Sequence, residues 1–182
     1  KSIIGQTLAE IAEIGGITPE EALLATVRAS EGRVSMIGRT VSVRNTKEEV
    51  KNENSFIASD GIGYTEEASD NGDLVHPRSF GAFAHFWHRF VNELALLTPQ
   101  EAIKKITSAP AEKLKLARRG ALIKGNFADI VVFDPYIFKE RNTYRNPYHY
   151  AIGMDYVFVN GSMAVENGAP THARHGRVLK RS

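Results

Sequence analysis

The sequence has no cysteine among its 182 residues. Disulfide bonds and thiolate metal ligands are therefore excluded within this chain. Their absence leaves the compartment open, and we take the cytoplasm as the default expectation.

Long apolar runs and a surplus of one charge are also missing. A membrane-spanning helix needs about 20 consecutive apolar residues, and no segment approaches that length. There are 23 Lys and Arg against 21 Asp and Glu, which gives a formal net charge of only +2. We expect neither a membrane nor a nucleic acid as partner, and we interpret the basic residues 172–182 as a solvated tail.

The first 60 residues alternate between helical and strand patterns. Gly15 and Gly16 predict the end of a first helix. The β-branched and apolar residues 34–37 predict a strand, and residues 55–59 predict a second one, buried on both faces as in a parallel sheet. Three Thr-x-x-Glu capping boxes predict further helix starts: Thr18 with Glu21, Thr46 with Glu49, and Thr98 with Glu101. Alternation of this kind is typical of α/β folds.

The character of the sequence changes near residues 118–122. Before this point, residues 79–97 place apolar side chains at helical spacing, which predicts a helix with one broad apolar face. His85 and His88 lie on it, and we favour packing and surface roles for both. After this point, residues 128–133 predict a strand, and Asn160-Gly161 between two alternating runs predicts a hairpin. We therefore divide the chain into residues 1–119 and a small β-rich unit, residues 120–182.

The segment Ser59-Asp60-Gly61 is a candidate site. In parallel α/β folds, ligands bind beyond the carboxyl ends of the strands, and Asp60 follows the predicted strand 55–59 at that end. Gly61 would let the chain turn or let a ligand approach closely. A turn aspartate or a helix cap is the alternative, and this motif alone does not decide between them.

The triplet His76-Pro77-Arg78 follows in the next loop. Pro77 stiffens the chain between the two functional side chains. Histidine offers a donor or acceptor near neutral pH, and arginine offers two parallel hydrogen bonds to a carboxylate. A capping histidine and a surface arginine are the alternative reading.

Taken together, these segments resemble the C-terminal end of N-acyl-D-amino-acid deacylases, the D-aminoacylase branch of the amidohydrolase superfamily. The resemblance covers nearly the whole chain. The pairing of Ser-Asp-Gly with His-Pro-Arg points to this branch. The segments that carry it, in order, are GQTLAEIAE, GRVSMI, FIASDG, HPRSFGAF, TPQEAIKKITSAPAEKLKL, RGALIKGNFADIVVFDP and VFVNGSMAVENG.

The resemblance implies a fold and a chemistry. The fold is a metal-dependent (β/α)8 barrel beside a small β-sandwich, with residues 34–37 and 55–59 supplying the seventh and eighth strands. Asp60 would be the catalytic and metal-site aspartate that takes a proton from the attacking water and passes it to the leaving amine. Ser59, Gly61, His76 and Arg78 would contact the substrate, an N-acyl-D-amino acid. The cofactor would be zinc, with most ligands outside this segment.

The chain has no initiator methionine and starts on a helical pattern. We therefore expect it to be the C-terminal part of a longer polypeptide, with the N-terminal part of the same enzyme as its partner. Two alternatives remain open. One is another amidohydrolase, such as a cyclic-amide hydrolase of the dihydroorotase or hydantoinase kind. The other is a catalytically silent structural module.

Overall fold

The computed structural model describes residues 3–38, 40–71 and 74–180 as a mixed α/β arrangement. Helices occupy the first two thirds of these residues, and an antiparallel sheet follows. The helices are α1 (Leu8–Gly15), α2 (Pro19–Ala29), α3 (Val43–Lys51), a 3-10 helix (Glu66–Asn71), α4 (Arg78–Phe86), a π-helix (Trp87–Glu93), α5 (Pro99–Ile106) and α6 (Ser108–Lys113). The strands are β1 (Ile130–Phe133), β2 (Met154–Val159), β3 (Ser162–Glu166) and β4 (Ala169–Pro170).

Capping side chains set most of the helix starts. Thr18 and Thr98 form complete capping boxes with Glu21 and Glu101, as predicted, and Pro stands at the first helical position in both cases. The predicted end of α1 is also confirmed, since Gly16 caps it in the left-handed conformation with φ 62°.

The predicted start of α3 is wrong. The helix begins at Val43, because the hydroxyl of Ser42 accepts a hydrogen bond from the backbone N–H of Asn45 at 3.1 Å. Thr46 lies inside the helix, where its hydroxyl donates to the Ser42 carbonyl at 3.1 Å. A serine four residues upstream therefore caps this helix in place of the predicted threonine.

Neither predicted strand of the first half is formed. Residues 34–37 and 55–59 lie outside regular secondary structure, and Phe56 is 39% exposed. A parallel strand exists only through backbone hydrogen bonds to neighbouring strands. In the described ranges of the chain, no strand lies beside either segment. Among the described residues, neither segment is therefore a strand, and neither is buried on both faces.

The four strands form one antiparallel sheet in the order β1-β2-β3-β4. The predicted hairpin is confirmed: Asn160 and Gly161 join β2 to β3 with φ values of 51° and 83°. Two successive positive φ values match the right-handed twist of the flanking strands, and Asn-Gly adopts them at little cost.

The core lies between the helices and the sheet. Phe86, Trp87 and Phe90 are buried, and Phe138 from the C-terminal unit is buried in the same cluster. The indole N–H of Trp87 donates to the carbonyl of Pro135 at 2.8 Å, which ties the π-helix to the turn after β1.

The predicted helix over residues 79–97 is present but changes geometry. It is α-helical from Arg78 to Phe86 and π-helical from Trp87 to Glu93. The 3-10 helix, Glu66–Asn71, lies between the Ser-Asp-Gly segment and the His-Pro-Arg triplet. Across the residues that are described, no helix combines the length and the apolar character needed to cross a bilayer.

Candidate active site

The Ser-Asp-Gly segment lies against α4 in an irregular part of the chain, where a side-chain hydrogen bond closes a local serine turn. Asp60 has a φ of 47°, a left-handed conformation that is uncommon for a residue with a side chain. The Ser59 hydroxyl accepts a hydrogen bond from the N–H of Gly61 at 3.2 Å, which stabilises the turn. A Cβ atom on Gly61 would lie 2.8 Å from the Cα of Ser79, so this close approach requires glycine.

The His-Pro-Arg triplet forms the N-terminus of α4. Pro77 is the residue before the first helical position, and Arg78 is that first position. The Nδ1 atom of His76 accepts a hydrogen bond from the N–H of Arg78 at 3.0 Å, so it carries no proton in this arrangement. Burial lowers the pKa of His76, and the nearby charge of Arg78 lowers it further, while Asp60 opposes both. A neutral imidazole is the form that fits this turn.

The structure brings the two motifs together. The Nη2 atom of Arg78 lies 2.9 Å from Oδ2 of Asp60. The Asp60 side chain is 84% exposed and that of Arg78 45% exposed. A proton-accepting carboxylate and an anion-binding guanidinium therefore share one accessible site, with His76 and Ser59 supporting the backbone on either side.

A cavity of about 330 Å³ opens beside this pair. It lies between α4 and the C-terminal sheet, and most of its wall is apolar. Arg78 and Ser59 provide its polar groups near Asp60, and Phe80, Phe83 and Met154 are among its apolar side chains. Such a site suits a ligand that carries an anionic group and an apolar part.

Sequence reasoning missed the residues that support α4 from the C-terminal unit. The amide nitrogen of Asn142 donates to the carbonyl of Pro77. His85 Nδ1 lies 2.6 Å from one Glu140 oxygen, and His88 Nδ1 lies 3.8 Å from the other. The partners in these contacts are more than 50 residues apart, so no local pattern could reveal them.

The His85–Glu140 contact shifts both ionisations. The hydrogen bond that His85 donates to Glu140 raises the pKa of His85 above its ordinary value, although burial opposes it. Burial raises the pKa of Glu140, but the hydrogen bond with His85 and the charge of both histidines outweigh burial and leave it lowered. The pair is therefore stabilised as an imidazolium with a carboxylate.

The implied zinc needs more ligands than Asp60 alone. Within residues 3–38, 40–71 and 74–180, no group of three or more His, Cys, Asp or Glu side chains is arranged to hold a metal ion. Asp60 can offer one carboxylate, a common zinc ligand, but a closed or catalytic site needs at least three protein ligands. These residues by themselves do not form a metal site.

Comparisons with known proteins give a consistent result. The sequence profile of the amidohydrolase family matches residues 16–168. N-acyl-D-glutamate deacylase of Alcaligenes xylosoxydans xylosoxydans is 34% identical over 177 residues, which is 97% of this chain and 34% of that protein.

Solved structures agree with the sequence matches. A crystal structure of D-aminoacylase is similar with a TM-score of 0.81 at 29% identity, over 97% of this chain and 35% of that one. N-acyl-D-glutamate deacylase of Bordetella bronchiseptica, solved with zinc and a phosphonate mimic of the tetrahedral intermediate, gives a TM-score of 0.73 at 28% identity. That match covers 94% of this chain and 34% of the other. The chain thus spans about a third of the length of these proteins.

Proposed function

This chain belongs to the amidohydrolase family, with its relatives in the D-aminoacylase branch, and we propose that it is the C-terminal part of an N-acyl-D-amino-acid deacylase. The reaction is hydrolysis of the amide bond, which gives a carboxylate and a free D-amino acid. One observation carries the proposal: the Asp60 carboxylate and the Arg78 guanidinium lie 2.9 Å apart, and Arg78 lines a mostly apolar cavity.

The barrel assignment is part of this proposal. Residues 1–119 form the last section of a (β/α)8 barrel, and residues 120–182 supply strands to a small β-sandwich. Residues 34–37 and 55–59 then become strands when neighbouring strands supply their backbone partners. Their apolar composition supports this, because a strand buried on both faces needs it.

Zinc is the proposed cofactor of the complete cytoplasmic enzyme. A deacylase relative has been solved with zinc. Asp60 would contribute one carboxylate, and residues outside this chain would contribute the other ligands. When bound, zinc polarises an acyl carbonyl as a Lewis acid.

Asp60 acts as the proton-transferring group. Its carboxylate is 84% exposed and pairs with Arg78, which lines the cavity, so it is accessible to a substrate that binds there. It accepts a proton from the water that attacks the acyl carbon and then donates that proton to the leaving amine. One carboxylate can do both because the two steps are sequential.

Arg78 binds the α-carboxylate that every N-acyl amino acid carries. A guanidinium has five N–H donors in a fork, so it can pair with Asp60 and with a substrate carboxylate at once. Ser59 and Gly61 fix the turn that presents Asp60, and His76 fixes the backbone of Arg78. The substrate is held by its charge while its acyl end reaches Asp60.

The test uses the complete enzyme, in which this chain is joined to its upstream part. Release of free amine is measured from N-acetyl-D-amino acids and their L-enantiomers, and ring opening from dihydroorotate and hydantoin. Hydrolysis confined to the N-acetyl-D-amino acids is expected. Turnover of the cyclic amides alone would favour a cyclic-amide hydrolase. If none of these compounds is turned over, a catalytically silent structural module is favoured.

Asp60→Asn keeps the shape of the side chain but cannot accept a proton. We expect kcat to fall by at least about 100-fold. Asp155→Asn is the matched control, since Asp155 is an exposed residue on β2. Near-normal turnover by Asp60→Asn would remove Asp60 from the mechanism.

A further inference from the structure

Among the described residues, two buried side-chain oxygens that lie against α4 and the π-helix make no hydrogen bond: that of Asn142 and one of Glu140. The Glu140 oxygen still lies 3.8 Å from Nδ1 of His88. Asn142 is only 7% exposed. Buried polar groups are normally paired, so an asparagine held in this place calls for a physical reason.

The reason lies in the other end of the Asn142 amide. Its nitrogen donates to the carbonyl of Pro77. Since a carbonyl can only accept, the nitrogen of the amide must face it and the oxygen must point away. The unpaired oxygen is therefore the consequence of a bond made to Pro77.

Pro77 is the residue between the two functional side chains of the triplet. Its carbonyl also accepts from the N–H groups of Phe80 and Gly81, at 3.0 and 2.9 Å, in the first turn of α4. The adjoining N–H of Arg78 donates to His76. The N-cap residue Pro77 makes no side-chain capping bond itself, and Asn142 adds a side-chain contact to its carbonyl from another part of the chain.

Gly81 makes room for this contact. A Cβ atom there would lie 3.0 Å from the amide nitrogen of Asn142 and 3.0 Å from the Cβ of Glu140, and it would collide with the amide oxygen of Asn142. Glycine inside a helix costs roughly 0.5–1 kcal/mol relative to alanine. The close approach of Asn142 explains its presence in α4.

The same segment holds the loop before α4. The ring of Tyr144 contacts that of His76 edge to face, with centroids 5.3 Å apart. The N–H of Tyr150 donates to Glu66 at 3.0 Å. Residues 138–150, which we name the strap, therefore contact the chain before Pro77 at both Glu66 and His76.

We propose that Asn142 is a positioning residue that acts through the Pro77 carbonyl to fix the place of Arg78 in the site. This inference rests on the proposed function, because it takes Arg78 to bind the substrate carboxylate. It concerns the strap of the C-terminal unit, which contains none of the residues placed in the chemistry.

The test compares Asn142→Ala and Asn142→Asp with the unmodified complete enzyme. Asn142→Asp keeps the volume but loses the N–H donor. Loss of one hydrogen bond should lower kcat/KM by about 2- to 10-fold, through KM with little change in kcat. Asn126→Ala is the control. The Asn126 amide also donates to a backbone carbonyl, that of Ala121 at 2.9 Å, but it does so outside this site.

Coupling to Arg78 separates positioning from general destabilisation. Asn142→Ala should lower kcat/KM for a substrate with a free carboxylate and leave kcat/KM for its carboxamide analogue nearly unchanged. In an Arg78→Lys background it should add no further loss. Equal losses on both substrates, a loss in kcat alone, an additive loss in that background, or failure of both Asn142 variants to fold would each overturn the inference.

The unmodified enzyme distinguishes this failure from that of the proposed function. If it hydrolyses N-acyl-D-amino acids and discriminates against the carboxamide, the proposed function stands whatever the Asn142 variants do. If it shows no such discrimination, Arg78 does not read the carboxylate, and the role of Asn142 is refuted together with that of Arg78.

Discussion

Replacing Arg78 by lysine tests the central feature of the site. Lysine keeps the positive charge and can still pair with Asp60, but it loses the fork that makes two parallel hydrogen bonds to a carboxylate. A hydrogen bond to a charged group contributes about 1.5–3 kcal/mol, which corresponds to roughly 10- to 150-fold in kcat/KM.

The exposure of Arg78 narrows the expected decrease in kcat/KM. The Arg78 side chain is 45% exposed, and water screens the charges of exposed pairs, which brings their contribution to about 1 kcal/mol or less when fully exposed. We therefore expect a decrease in kcat/KM near the lower end, about 10-fold. Most of it should appear in KM, because the Asp60 carboxylate is retained.

The assay measures steady-state kinetics of the complete enzyme on an N-acetyl-D-amino acid and on its carboxamide. The unmodified enzyme should discriminate strongly between them, and Arg78→Lys much less. Arg89→Lys is the matched control, because Arg89 has a similar exposure but pairs with Glu93 on the π-helix. Equal discrimination by wild type and Arg78→Lys would refute the reasoning and leave Arg78 a structural role in the loop.

Three further predictions address packing and pH. Residues 1–182 expressed alone should aggregate, because large apolar side chains such as those of Ile14 and Leu24 are 74% and 67% exposed; a cooperative, monomeric thermal transition would contradict this. Gly61→Ala should lower stability by about 1–3 kcal/mol through overpacking against Ser79, and an unchanged melting temperature would show that the turn adapts freely. The raised pKa of His85 and the lowered pKa of Glu140 mean that their pair stabilises the fold between the ordinary values of 4.5 and 6.5. This stabilisation is lost as pH rises through the pKa of His85 or falls through that of Glu140. In the complete enzyme, His85→Ala should therefore lower the melting temperature more at pH 5.5 than at pH 9, and an equal loss at both values would rule out the charged pair.

Local chemistry explains where the sequence predicted structure correctly. The capping boxes at Thr18 and Thr98 depend on side chains three residues apart, and the hairpin at Asn160-Gly161 depends on two adjacent residues. Such features involve few neighbours, so tertiary packing rarely overrides them. The predicted cap at Thr46 is wrong because Ser42, four residues earlier, provides an equivalent cap.

The strands predicted at residues 34–37 and 55–59 are absent for a different reason. An apolar pattern shows that a segment is suited to burial, but a strand also needs a neighbour that completes its hydrogen bonds. Here no such neighbour lies beside them in the described part of the chain. The pattern is a property of the residues, and the pairing is a property of what surrounds them.

The sequence by itself determined which residues carry the candidate chemistry: a carboxylate in Ser59-Asp60-Gly61, and an imidazole and a guanidinium around Pro77. Only the tertiary structure decided that Asp60 and Arg78 meet at 2.9 Å, that Gly61 lies against Ser79, and that Asn142 holds the Pro77 carbonyl. Residue type fixes charge and hydrogen-bonding capacity directly. Contacts between residues 18 to 65 positions apart arise when folding packs whole elements together, and no local pattern records them.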